Sequence, residues 1–248
     1  MSRPSLAVSA ALLALVVYGA SAEAYVLPAD FLVRLLAEKR RSLNAKDLTS
    51  QWTAEIDGVD GAVDEHLYLK YPERSRLVRQ SEDGPHVAIE REGGRAFGPE
   101  KAPLRVTQPM DLTPYLLAPA GRDLDEMSAR LLAVLKQAGV DTSMVALGRS
   151  GDTLVYIIGA RPFEPDKAQL WLSKTSFLPL RFVVFDRSKS PPLRRETRYL
   201  DFGGGVGGDL LPSVIEDFEG TRRVRRAELT RVSANQALPE TLFDLPKK

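Results

Sequence analysis

Residues 167–186 constrain the fold more than any other part of this sequence. They read KAQLWLSKTSFLPLRFVVFD, two runs rich in β-branched and aromatic residues around a short polar turn, which is the pattern of a β-hairpin. In the second run Phe182 and Val184 point to one face, and Val183 and Phe185 point to the other. A strand that is apolar on both faces must be covered on both, so we expect this hairpin in a sheet with another layer packed on it.

Further strands with clean alternation are predicted before and after this hairpin. Trp52 and Ile56 alternate with polar neighbours, as do Leu67 and Leu69, so each strand should have one buried and one wet face. About ten or eleven strands follow one another at the spacing typical of an antiparallel barrel or sandwich. No linker rich in Pro, Ser or Gly divides the chain, so we expect a single domain over residues 23–248.

The first predicted helix opens this domain. Pro28 suits a first helical turn, and Asp30 favours the positive end of the helix. Leu32 and Leu35 belong to an apolar stripe at helical spacing, while Arg40 is among the charged residues expected on the outer side. The stripe predicts an amphipathic helix that lies on the sheet.

A second amphipathic helix is predicted in the middle of the chain, after a shorter helix within residues 109–117. Asp123 followed by Glu126 is the pattern of a capped helix start, and Gly139 marks its end. Leu131 and Leu135 lie four residues apart and therefore share one helical face. We expect that face to meet the sheet.

The N-terminal residues 1–22 are predicted to be a signal peptide. Arg3 supplies a positive charge, residues 6–18 form an apolar run of the right length, and small residues allow cleavage near Ala22 or Ala24. The alternative is a transmembrane anchor, but the run is shorter than the ~20 residues that a spanning helix needs. The predicted location is the periplasm.

Composition and motifs give no support for an enzyme. The formal net charge is +1 and there is no cysteine, so no global field favours nucleic acid and no disulfide or thiolate metal site can form. His66 and His86 lie among polar neighbours, as surface histidines do. Residues 148–151 lack the spacing of a nucleophile elbow, and the glycine-rich residues 203–208 lack the Lys-Ser/Thr ending of a phosphate loop. We expect no catalytic residue, metal or cofactor.

A run of basic residues near the C-terminus has two interpretations. It is either a solvated strand whose charge protects an exposed sheet edge, or a patch that contacts anionic headgroups or an acidic partner. Arg194, Arg195 and Arg198 would extend the patch if the two strands lie close together. The residues of the run are Arg222, Arg223, Arg225 and Arg226.

Several stretches in the second half of the chain resemble a known family. They are LWLSK and FLPLR at residues 170–174 and 177–181, YLDF at 199–202, LPSVIE at 211–216, and residues 230–235 with the ending LFDLP at 242–246. Their order and spacing resemble the C-terminal half of the outer-membrane lipoprotein-sorting family, the LolA/LolB-like proteins.

The resemblance implies a fold and a function. The fold is mainly β with α, a half-open antiparallel β-barrel closed on its concave side by amphipathic helices. The function is that of a periplasmic carrier, because the family's lipid-anchored member begins with a modified cysteine and this chain has none. The implied partners are a lipid or acylated lipoprotein, an inner-membrane donor complex and an outer-membrane acceptor, with no nucleic acid and a monomeric carrier. The alternative is a lipid-sensing or regulatory module that does not transport.

An incomplete barrel also predicts a cavity on physical grounds. Its concave face is too large for its own side chains to fill, so helices must plug it and acyl chains can share the space. The alternative is a filled core. The residues predicted to line the cavity and its helical lid are Leu32, Leu35, Trp52, Ile56, Leu67, Leu69, Leu131 and Leu135.

Overall fold

The structure, a computed structural model, describes residues 26–72, 74–91, 94–105, 112–118, 121 and 123–246. The predicted signal peptide lies outside these residues. The helices are α1 (Ala29–Ser42), α2 (Thr113–Leu117), α3 (Leu124–Gln137) and a 3-10 helix (Glu240–Phe243). The strands are β1 (Asp47–Ile56), β2 (Ala62–Lys70), β3 (Arg74–Arg79), β4 (His86–Arg91), β5 (Gly94–Pro99), β6 (Leu104–Arg105), β7 (Val145–Ser150), β8 (Thr153–Ile158), β9 (Gln169–Ser173), β10 (Pro179–Asp186), β11 (Leu193–Leu200), β12 (Val214–Glu219) and β13 (Arg222–Ala234).

All 13 strands belong to one antiparallel sheet, in the order β6-β5-β4-β3-β2-β1-β13-β12-β11-β10-β9-β8-β7. Every neighbouring pair is consecutive in the chain except β1 and β13, which join the two halves at the centre of the sheet. Among the described residues β6 and β7 form no ladder with each other, so the sheet is open. The predicted fold class, a half-open antiparallel barrel with helices, is confirmed, with 13 strands instead of ten or eleven.

The hairpin at residues 167–186 forms β9 and β10 as predicted. Phe182 pairs with Leu170 across the ladder, and Arg181 pairs with Trp171. Phe182 and Val184 enter the main hydrophobic core, whereas Val183 is buried outside it. Both faces of β10 are therefore covered, which is why the sequence of this strand is apolar on both sides.

The helices cover one face of the sheet. Asp123 caps α3 by accepting hydrogen bonds from the backbone N–H groups of Asp125 (2.9 Å) and Glu126 (3.0 Å), and Gly139 follows its end with a positive φ of 86°. The helices α1 and α3 pack against each other. Together with α2, they enclose the main core against residues from β1, β2 and β8–β13.

Two expectations about charged residues are wrong. Arg40 was expected on the outer side of α1, but only 1% of its surface is exposed. The basic run was considered as the cover of a sheet edge, but it belongs to β13, which lies between β1 and β12 in the middle of the sheet.

None of the helices in the described part of the chain has the length and apolar content needed to span a membrane.

The C-terminal residues after β13 pack on the face of the sheet opposite the helices, which we call the convex face. Phe243 is fully buried there. Lys70 Nζ donates to the carbonyl oxygen of Leu238 (2.6 Å), and Arg91 Nη1 pairs with Asp244 Oδ1 (2.7 Å). This segment therefore holds β2–β4 from the convex side. The site described next lies on the concave face, which the helices cover.

Candidate functional site

A cavity of about 500 Å³ lies between the concave face of the sheet and the start of α2. Residues from β1–β5 and from β10–β13 line it, so the sheet must curve around it. A volume in this range is typical of sites that bind small molecules. The predicted cavity is therefore present on the concave face.

The apolar wall of the cavity contains three of the residues predicted to line it. Trp52 and Ile56 from β1 and Leu67 from β2 all contact the space. The indole N–H of Trp52 donates to Ser50 Oγ (2.8 Å), so the ring presents only apolar surface to the cavity. This wall suits a hydrocarbon chain because it offers neither donors nor acceptors.

The other predicted residues lie outside this cavity. Leu32, Leu69 and Leu135 are fully buried in the main core. Leu35 is half-buried on α1, and Leu131 lines a much smaller pocket of about 20 Å³ beside Tyr115. Whether any of them contacts a ligand stays a prediction, because it depends on movement of the helices.

Sequence patterns missed part of the lining. The opposite wall is Leu112, Thr113 and Pro114, at the start of α2, so the helix that meets the cavity is α2 and not α3. Phe182 and Val184 also line it. The hairpin pattern did place these two on one face, but alternation cannot distinguish a residue packed in a core from one that faces an internal space.

A chain of ion pairs crosses the concave face next to the apolar wall. The carboxylate of Glu65 is 0% exposed and accepts from Arg79 Nε (2.9 Å) and from Arg225 Nε (3.1 Å). Arg225 Nη1 also donates to Asp217 Oδ2 (2.8 Å), and Thr197 Oγ1 donates to the other oxygen of Asp217 (2.7 Å). Every residue of this chain of ion pairs except Glu65 lines the cavity. The sheet side of the cavity therefore has an apolar wall and, beside it, a polar wall.

The two arginines keep Glu65 ionised. Burial alone would raise the pKa of Glu65, but Arg225 and then Arg79 hold that pKa below the usual value for glutamate. Because the folded-state pKa is lowered, the stability supplied by this charge is present above the ordinary glutamate pKa. It is lost as the pH falls through the lowered value. The polar wall is therefore charged, and balanced, near neutral pH.

Arg40 connects α1 to the helix that borders the cavity. Its guanidinium donates to the carbonyl oxygens of Leu117 and Ala118 (3.3 Å for Ala118), at the end of α2. It also donates to the carbonyl oxygens of Asp209 (3.3 Å) and Leu210 (2.7 Å), in the loop before β12. Burial lowers the pKa of Arg40 to about 10, against the effect of Asp209, so the side chain is still charged near neutral pH. One buried cation thus fixes α2 and this loop to α1.

The basic run is divided between the two faces of the sheet. Arg225 belongs to the ion-pair chain beside the cavity, and Arg222 lines the cavity while pairing with Asp57 (2.6 Å). Arg223 and Arg226 lie on the convex face, where both approach Glu216 (3.0 and 3.7 Å). The run is therefore not one surface patch, and a contact with an anionic surface stays a prediction for each face separately.

The two histidines lie apart from the cavity lining. His86 Nδ1 is 3.1 Å from Ser81 Oγ, and His66 is half-buried on β2. Within the described ranges, no three His, Asp or Glu side chains are grouped so that they could hold a metal ion.

Comparisons with known proteins identify solved structures that have a similar fold. No family model matches the sequence, and no curated protein does either. A LolA superfamily protein from Nitrosomonas europaea is similar in structure, with a TM-score of 0.54 and 14% identity over 89% of this chain and 99% of that one. A putative outer-membrane lipoprotein-sorting protein domain from Vibrio parahaemolyticus has a TM-score of 0.54 and 10% identity, over 85% of this chain and 95% of that one. A DUF1329 family protein from Desulfovibrio piger has a TM-score of 0.53 and 11% identity, over 88% of this chain and 98% of that one.

At these identities the similarity shows the fold. The LolA-like resemblance predicted from the sequence is thus confirmed at the level of structure, over most of this chain and nearly all of each solved structure. The similarity includes the N-terminal half, where no sequence motif had indicated it.

Proposed function

We propose that this protein is a periplasmic carrier that binds acyl chains of a lipid or lipoprotein and delivers them towards the outer membrane. It acts as one domain, residues 23–248, after export through the signal peptide at residues 1–22. The observation that carries the proposal is the cavity of about 500 Å³ beside the start of α2, which has an apolar wall. The LolA-like fold supports the choice of an acyl chain as the occupant.

The cavity provides enough binding energy without any catalytic residue. Burying a methylene group contributes about 0.8 kcal/mol, so an acyl chain of a dozen methylenes gains roughly 10 kcal/mol before the entropic costs of association. Trp52, Ile56 and Leu67 contact this chain directly in the proposal. A ligand with longer or more numerous chains needs additional space between the sheet and the helices. Such space would bring the ligand towards the remaining predicted residues in or beside the main core, which are Leu32, Leu35, Leu69, Leu131 and Leu135.

Movement of α2 is the step that admits the ligand in this proposal. The helix has five residues, its N-terminal end borders the cavity, and its C-terminal end is fixed by Arg40. α2 is much shorter than α1 and α3, so fewer side chains leave the main core when it moves, and the acyl chain takes the place of Tyr115, Leu116 and Leu117 there. The donor complex in the inner membrane and the acceptor at the outer membrane are the partners that such a carrier requires.

A transfer assay tests the carrier function. Donor vesicles that contain a pyrene-labelled diacyl lipid are incubated with the protein and removed by centrifugation, and unlabelled acceptor vesicles are then added. We expect label in the supernatant at about one lipid per protein, followed by its appearance in the acceptor vesicles. Uptake without delivery would favour the sensing module, and no uptake by the protein would contradict both functions.

A further inference from the structure

The convex face carries a second feature that the cavity does not explain. Arg181 on β10 and Arg194 and Arg198 on β11 all contact one carboxylate, that of Glu196. We call these three residues the convex arginine cluster. None of these three arginines lines the cavity, whereas Phe182 on β10 and Thr197 on β11, which alternate with them, do, so the three guanidinium groups lie on the opposite face. Glu196, which they share, is also among the residues that border the cavity.

The cluster has three positive charges around one negative charge, and the negative charge is the most deeply buried. Three guanidinium groups share one carboxylate, and the side chain of Glu196 is only 2% exposed, whereas Arg181, Arg194 and Arg198 are 25%, 22% and 41% exposed. The negative charge thus lies beneath and the positive charges lie at the surface. Burial lowers the pKa of Arg181 despite Glu196, and the charges of Arg194 and Arg198 add to that effect, as expected for cations that one carboxylate does not neutralise.

Two of the three guanidinium groups lie over aromatic rings. Arg181 lies over the ring of Trp171, 4.7 Å from its centroid, and Arg198 lies over Phe218 at 4.2 Å. Arg198 Nε donates to Glu196 Oε1 (2.5 Å). A guanidinium that is packed against a ring loses less entropy when it binds a further anion, and its fork matches a carboxylate.

The carboxylate that faces the cluster from the neighbouring strand does not balance it. Glu216 lies opposite Arg198 in the ladder between β11 and β12, but its oxygen is engaged by Arg223 (3.0 Å) and approached by Arg226 (3.7 Å). On the part of the convex face formed by β10–β13, five arginines contact carboxylates, and those carboxylates are Glu55, Glu196, Glu216 and Glu228. A positive surplus remains at the surface, centred on β10 and β11.

We propose that the convex arginine cluster binds a carboxylate-rich segment of a partner protein. A peptide is favoured over a membrane surface because Arg181 and Arg198 are packed against aromatic rings and do not extend towards solvent as flexible cations. In addition, none of the large apolar side chains that are exposed in the described part of the chain lies on β10 or β11. The concave face is left free, so partner and acyl chain bind on opposite faces of the same sheet.

A labelled peptide tests this surface directly. The probe is a fluorescein-labelled decapeptide of alternating Glu and Ser, and its control has Gln in place of Glu. Fluorescence anisotropy at low ionic strength should show the Glu peptide bound to the wild-type protein at least about tenfold more tightly than the Gln peptide. Arg198→Gln should lose about tenfold in affinity for the Glu peptide, and Arg198→Lys should lose less because it keeps the charge.

Arg149 supplies the matched control, because it is exposed on the edge strand β7 and its removal changes the net charge equally. Arg149→Gln should alter affinity by less than about twofold. Equal losses in Arg149→Gln and Arg198→Gln would overturn the proposal, as would wild-type protein that does not distinguish the two peptides. If Arg198→Gln does not fold by circular dichroism, Arg194→Gln takes its place. Binding to phosphatidylglycerol vesicles but not to the Glu peptide would assign the cluster to a membrane instead.

Discussion

Replacing Arg40 with methionine should lower the free energy of unfolding by at least about 3 kcal/mol and detach α2 from the sheet. The variant keeps most of the volume of the side chain but removes the donors to Leu117, Ala118, Asp209 and Leu210. Each buried carbonyl group that loses its partner costs about 1–3 kcal/mol, and the ends of short helices depend on such partners. We therefore expect both instability and exposure of the apolar cavity wall.

Urea unfolding followed by circular dichroism measures the first effect, and binding of a hydrophobic dye in the absence of urea measures the second. Lys39→Met is the matched control, because Lys39 pairs with Asp209 (2.6 Å) at the partly exposed end of the same helix. Such a pair contributes about 0–1 kcal/mol. If Arg40→Met is no less stable than Lys39→Met and binds no additional dye, Arg40 does not hold α2 in place.

Replacing Leu131 and Leu135 together with aspartate should unfold the protein. Both side chains are buried in the main core, where α3 packs on α1 and the sheet. Burying a carboxylate without a partner costs several kcal/mol, and two such costs approach the total stability of a typical domain, about 5–15 kcal/mol. The sequence analysis assigned Leu131 and Leu135 to the cavity and its helical lid. The cavity instead borders α2, so we expect α3 to behave as part of the core.

Ala129 and Ala133 provide the control on the exposed side of the same helix, also four residues apart. The double variant Ala129→Asp with Ala133→Asp adds the same charge and should unfold thermally within a few degrees of the wild-type protein. If the Leu131 and Leu135 variant instead stays folded by circular dichroism and binds much more hydrophobic dye, α3 is a movable lid and our assignment to the core is wrong.

Local signals in the sequence predicted several elements correctly. The hairpin of β9 and β10, the cap at Asp123 and the helix end at Gly139 all depend on residues close together in the chain, and all are present in the structure. The inner faces of β1 and β2 also followed from alternation, which placed Trp52 and Leu67 at the cavity. Period and capping describe the backbone, and the backbone determines which face a side chain occupies.

Partners distant in sequence explain what could not be predicted. Arg40 was placed outside α1 because a charged residue in a last helical turn is normally solvated. The carbonyl groups that accept its hydrogen bonds lie 77–78 and 169–170 residues away and leave no mark in the sequence. Arg225 looked like one member of an exposed run, yet its partner Glu65 is 160 residues away. In both cases tertiary contacts decide burial.

The most direct test of the proposed carrier is to ask whether lipid leaves the protein when the cavity is filled. Ala88 lines the cavity and is only partly buried, so Ala88→Trp can place a large side chain in that space. Ala62 is exposed on β2, and Ala62→Trp is the control. The measurement is mass spectrometry of an organic extract from protein purified without detergent. We predict about one lipid per molecule in the wild type and in Ala62→Trp, and at least about fivefold less in folded Ala88→Trp. Wild-type protein without lipid, or folded Ala88→Trp with as much lipid as the wild type, would contradict an acyl chain in this cavity.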